Sequence, residues 1–157
     1  MLTENALTEH DVTRIIEWHD GDLQVHVLVP ETSDQSRFDQ VVDDIARVDL
    51  DELRRDLSDA EGGETANSDE IAARQALRES LELLASKGVT AIGALTPKDP
   101  VPATATAVTH LSADELWVLT EPHLVSDLLR RGWANKLRNL VAVPVLHAIG
   151  GTDEVIS

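Results

Sequence analysis

"ELWVLTEPHLVSDLLRRGWANKLRNLVAVPVLHAI", residues 115–149, reads as strand, helix and strand in one run. Residues 115–120 are short and apolar, and Pro122 can take the first position of a following helix, where its missing N–H costs nothing. Over 122–140, Val125, Leu128, Leu129, Trp133, Leu137 and Leu140 line one side at helical spacing. Residues 143–149 are strand-like again and stop at Gly150-Gly151. Two strands joined by a crossover helix of this length form a parallel pair.

The same alternation extends toward the N-terminus. "LQVHVLV", 23–29, and "VTAIGAL", 89–95, read as buried strands. Residues 8–19 read as a helix capped by Thr8, with Glu9 and Asp11 in its first turn and Val12, Ile15 and Ile16 on its apolar side. Residues 35–58 carry two apolar stripes with a break near Val48-Asp49, and 59–67 form a loop without apolar anchors. Asn67 and Glu70 can box the start of a helix over 68–87 that buries Ile71, Leu77, Leu81 and Leu84 and stops at Gly88. Residues 103–110, "ATATAVTH", form a short helix despite poor intrinsic propensity. The expectation is a single α/β domain over 1–157, a three-layer sandwich around a parallel sheet of four to five strands, with 150–157 as a tail.

Charge narrows the setting. The chain has 29 Asp+Glu against 13 Lys+Arg, a formal net charge of −16. Residues 1–70 hold 20 acids and five Arg, whereas 122–150 hold one acid, Asp127, and four bases, Arg130, Arg131, Lys136 and Arg138. Such a surface repels the nucleic-acid backbone and anionic membranes alike. Few lysines, many acids and almost no Phe or Tyr suit molar salt, where the screening length falls to about 3 Å. We expect a halophilic, archaeal, cytoplasmic protein. Absence of cysteine excludes disulfides and thiol chemistry, and no apolar run reaches the roughly 18 residues of a membrane span.

Three stretches carry a resemblance. "KGVTAIGALTPKDP", "SADELWVLTEP" and "LLRRGWANKLRNLVAVPVLHAI" resemble the third strand with its acidic loop, the fourth strand, and the Arg-rich helix with edge strand of the universal stress protein family. That resemblance implies a Rossmann-like fold, with "LQVHVLVP" as the second strand. The family's central first strand should precede residue 8, where only Met1–Leu7 stand; it is missing, shrunken or lost through a late start site. Without it the order would be 89–95, 23–29, 115–120, 143–149, with the ligand crevice between 23–29 and 115–120. The resemblance also implies a homodimer through the last edge strand, with Val143, Val145 and His147 at the interface.

ATP-binding members of that family follow the fourth strand with a glycine-rich turn. Here Thr120-Glu121-Pro122-His123 stands instead, and Glu121 and Pro122 both oppose a phosphate. We therefore expect no cofactor and a regulatory or interaction role. Two other readings remain open. A small ligand could use the crevice at Pro30, Asp99, Thr120, Glu121 and His123, or His123 could serve an enzyme as acid or base. No metal spacing, nucleophile elbow or phosphate loop occurs.

Overall fold

The structure, a computed structural model, describes residues 1–31, 68–120 and 127–156. Within them lie strands β1 (Leu2–Thr3), β2 (Gln24–Pro30), β3 (Thr90–Thr96), β4 (Leu116–Thr120), β5 (Val145–Ile149) and β6 (Val155–Ile156). The helices are α1 (Glu9–Glu17), α2 (Ser68–Ser86), α3 (Val101–His110) and α4 (Asp127–Leu140). The strands form one sheet in the order β3-β2-β1-β4-β5-β6, with only β6 antiparallel. The expected α/β sandwich with a mostly parallel sheet is therefore present. The expected helix 35–58, loop 59–67 and Asn67 cap lie outside the described residues.

Alternation along the strands separates two cores. Val25, Val27, Val29, Trp117, Leu119 and Ala148 face α1 and α2, where they meet Val12, Ile15, Leu77, Leu81 and Leu84. Leu2, Leu28, Ala94, Leu116 and Val118 face α3 and α4, where they meet Val101, Ala107, Val108, Ala134 and Leu137. This gives three layers, with each sheet face covered by helices. Helix α3 forms despite its threonines because its alanines and valines are buried in this second core, and packing overrides propensity. At Gly93 an added Cβ would sit 2.5 Å from Leu77 Cδ1, so a bare backbone there lets α2 pack onto the sheet.

Several expectations need correction. A strand does precede residue 8, and it is short: Leu2–Thr3 lies between β2 and β4, so the four-strand order expected without it does not hold. Two residues are too few to show periodicity, so it was invisible to pattern reading. Among the described residues the sheet has six strands, beyond the four to five expected. Residues 143–149 are not the outer edge: Gly151, at φ 72°, turns the chain so that Val155–Ile156 pair with Ala148 and His147. The expected tail therefore ends in a strand. In α2, Ile71 is 51% exposed, and Ala73 takes the place expected for it in the core. Leu140 is 62% exposed at the end of α4.

Candidate functional site

Strand order reverses at β1. From β1 the chain winds outward to β2 and β3, then crosses back to β4 and β5. In a doubly wound sheet, ligands bind beyond the carboxyl ends of the strands flanking such a reversal. The expected crevice between 23–29 and 115–120 thus shifts to one between β1 and β4. A cavity of about 230 Å³ lies there, lined by Thr3, Glu4, Asn5, Thr8, Asp11, Thr120 and neighbouring backbone.

Its floor is a hydrogen-bonded latch. Thr8 caps α1: its hydroxyl accepts from the Asp11 N–H (3.2 Å) and donates to Asp11 Oδ2 (2.7 Å). The Thr8 N–H also donates to Asp11 Oδ2, at 2.9 Å, completing a capping box. The other oxygen, Oδ1, accepts the Gly151 N–H at 2.8 Å. Gly150 N–H donates to the Thr120 carbonyl (2.9 Å), and Arg14 donates to the Thr152 carbonyl. Asp11 is 2% exposed, so its charge sits inside this junction at the positive end of the α1 dipole. Behind it, His147 Nε2 and Thr120 Oγ1 lie 3.0 Å apart, and both residues are buried.

Of the residues expected at the crevice, Thr120 lines the cavity. Pro30 is buried at the end of β2, opposite Thr96, and Asp99 is exposed, where it accepts the Val101 N–H (3.3 Å) at the start of α3. Glu121 and His123 lie outside the described residues, so no acid–base geometry can be assigned to them. The expected dimer residues also change place. His147 is 2% exposed, and Val143 and Val145 pack in part against the α3–α4 core. Of the basic cluster, Lys136 is exposed and Arg138 contacts the Val145 carbonyl (3.4 Å) and the Ile156 carbonyl (3.3 Å), tying α4 to β5 and β6. The side chains of Arg130 and Arg131 lie outside those the structure describes.

Sequence reading missed the opposite end of the sheet. A cavity of about 510 Å³ opens there between β2 and β4, below the short β1. The Met1 α-amine projects into the fold and donates to the His26 carbonyl. Burial pulls its pKa from 8.0 to about 5, with the Glu115 carboxylate acting the other way. His26 also titrates below its ordinary range, first through burial and then through the amine's charge. His19 is raised, chiefly by its hydrogen bond with the Ile15 carbonyl (2.6 Å) and also by Glu115 at 2.7 Å. The same Glu115 oxygen accepts the Trp117 indole N–H. Trp117 packs edge-on against Trp18 at 5.3 Å, with the Arg14 guanidinium 5.5 Å from its ring centre. No single motif marks this cluster, because its members come from four separate segments.

Fold and site together define an α/β protein of Rossmann-like type, with a latched crevice at the switch point. Among the described residues no group of three or more His, Asp or Glu side chains could hold a metal ion, and no helix is long and apolar enough to cross a membrane. Compared with protein-family models, curated proteins and solved structures, the chain matches none.

Proposed function

We propose that the chain is a universal-stress-like domain of a high-salt cytoplasm, with a regulatory or interaction role, that does not hold ATP in the manner of that family's nucleotide-binding members. The observation that carries this reading is the Asp11 carboxylate at the α1 N-terminus, in the switch-point crevice. A ligand phosphate would use the same kind of place: free N–H groups and the positive end of a helix dipole. Here the α1 cap is already occupied by an internal anion, and Glu4 adds a second carboxylate to the cavity wall. The absence of glycine between Thr120 and Gly132 points the same way.

Calorimetric titration of magnesium ATP in molar KCl tests this. Saturable heat should be absent up to about 1 mM, a range in which binding would be weaker than about −4 kcal/mol. A micromolar dissociation constant would overturn the reading. The high-salt setting has its own test: dilution to low salt should unfold the chain as screening of its −16 charge is lost. Retention of full stability there would count against it.

The homodimer belongs to the same proposal, with a changed edge. β6 is the outer strand on that side, so sheet-to-sheet pairing would use Val155–Ile156, and His147 would stay interior. Light scattering in molar KCl should give twice the 17.1 kDa chain mass, and a monomer would refute the dimer.

A runner-up reading rests on the cavity itself. At about 230 Å³ with a polar wall of Thr3, Asn5, Thr8 and Thr120, it has room for a small neutral or cationic molecule. A thermal-shift screen of such compounds in high salt distinguishes this from a site with no ligand.

A further inference from the structure

The last carbonyls of a helix have no partner further along it and must be met from outside. At the end of α1, Trp18 N–H donates to the Arg14 carbonyl (3.1 Å) and His19 N–H to the Ile16 carbonyl (3.3 Å). The Ile15 carbonyl is met by a side chain instead: His19 Nδ1 lies 2.6 Å from it. The other ring nitrogen, Nε2, lies 2.7 Å from Glu115 Oε1, just ahead of β4.

These two contacts fix the protonation of the ring. A neutral imidazole has one N–H and one lone pair. The Ile15 carbonyl can only accept. Glu115 Oε1 also accepts the Trp117 indole N–H, which suits a carboxylate. Both ring nitrogens must therefore donate, and His19 is an imidazolium in this arrangement. It places a positive charge at the negative end of the α1 dipole and bridges α1 to β4 across 96 residues. Its proton is held above the ordinary histidine range first by the Ile15 carbonyl, with burial opposing and Glu115 adding to the effect.

The groups around the ring are mostly acidic. Asp20 and Asp22 on its own loop, and Asp114 and Glu115 ahead of β4, line one cavity with it. From β1 and β2 come the Met1 amine and His26, both lowered by burial and so uncharged near neutrality. Arg14 lies over Trp117 and donates to the Thr152 carbonyl. Lys87, at the end of α2, stands 3.8 Å from Glu9. Helix α3 contributes the apolar Ala107 and Val108. Loss of the His19 proton would set a lone pair against an acceptor at 2.6 or 2.7 Å, with the four carboxylates left without their imidazolium. The bond to Ile15 spans four residues and the bond to Glu115 spans 96, so the longer closure is the one that opens.

We propose that His19 is a proton-operated clamp: as an imidazolium it holds the segment 18–23 against the start of β4, and loss of the proton releases that segment. Trp18, exposed and edge-on to Trp117 at 5.3 Å, moves with it. His19, Asp22 and Leu23 line both the cavity of about 510 Å³ and a neighbouring one of about 660 Å³, so release opens one toward the other. The clamp is shut on the acid side and opens as pH rises through the folded pKa of His19. The inference stands on ring geometry and is independent of whether the crevice at the other end of the sheet binds nucleotide.

A pH titration by NMR in molar KCl tests it, following the His19 ring nitrogens, the Trp18 and Trp117 indole N–H groups and the Gly21 and Leu23 amides. The indole and amide resonances should move with the His19 midpoint. Exchange at Gly21 and Leu23, corrected for its intrinsic pH dependence, should rise by about tenfold above that midpoint. In Glu115→Gln the side-chain amide can accept from a charged ring or donate to a neutral one, so His19 should titrate at lower pH and the rise should vanish. His19→Leu has no bond to give and should exchange at the open rate at every pH. Trp18 and Gly21 resonances that stay fixed while His19 titrates would overturn the proposal. So would a tenfold rise that survives in either variant, or one whose midpoint follows His26 instead of His19.

Discussion

The two ends of the sheet solve opposite problems. At the carboxyl ends, Asp11 joins α1 to the β5–β6 turn, and Gly150 joins that turn to β4. Backbone groups there find partners, and the space left is about 230 Å³. At the amino ends, β1 starts too late to separate β2 from β4, and about 510 Å³ opens between them. One end of the molecule is latched by an internal anion; the other holds a buried amine in an open slot. In a fold whose carboxyl ends usually take the ligand, the larger of these two spaces lies at the opposite end of the sheet.

The largest expected difference between the ends is in pH response. The Met1 amine has a folded pKa of about 5 against an ordinary 8.0. The unfolded chain therefore keeps this proton through pH 5–8 while the folded chain does not. Stability must rise with pH across that window, by up to about 4 kcal/mol from this group, and is lowest below pH 5. His26, also lowered, adds a rise of the same sign as pH passes through its range. His19, raised, acts oppositely: its contribution is complete below about 6.5 and is lost as pH rises through its folded pKa. Urea midpoints at constant salt should rise from pH 5 to 8, and acetylation of the Met1 amine should flatten most of that slope. A chain whose slope is unchanged by acetylation would show that the amine is not desolvated.

Next in size is the latch. Asp11→Ala removes the acceptor of the Thr8 N–H, the Thr8 hydroxyl and the Gly151 N–H, and should cost about 3 kcal/mol. Asp11→Asn keeps the shape and one acceptor and should cost clearly less, by denaturant unfolding. Gly151→Ala strains a backbone at φ 72° and should cost about 1 kcal/mol, with the loss seen as earlier exchange of the β6 amides. Thr120→Val unpairs His147 from its 3.0 Å hydroxyl partner and should also cost about 1 kcal/mol. Smallest is Glu115→Gln at the open end. It should leave stability nearly unchanged but lower the His19 pKa, readable in an imidazole titration by NMR.

Much of the fold was legible because long periodic segments announce themselves. The helix expected at 8–19 is α1 at Glu9–Glu17, and the strand expected at 89–95 is β3 at Thr90–Thr96. Ile71 was misplaced because the buried stripe of α2 runs Ala73, Leu77, Leu81 and Leu84, and Ile71, six residues before Leu77, falls off that stripe. β1 and β6 escaped because two-residue strands exist only through their neighbours. The latch escaped for a related reason. In the sequence Asp11 is a first-turn acid suited to a helix dipole, and nothing ties it to Gly151, 140 residues away. The buried amine of Met1 has no sequence signature at all; it follows from where β1 sits in the sheet.

The central claim is that the switch-point crevice is closed to phosphate by Asp11. Amide chemical shifts of Thr8, Gly150 and Gly151, followed by NMR during titration with magnesium ATP in molar KCl, report on that latch directly. We predict that these three resonances stay in place up to about 1 mM ligand, a concentration that would expose any affinity tighter than about −4 kcal/mol. Saturating shifts at micromolar ATP would contradict the account.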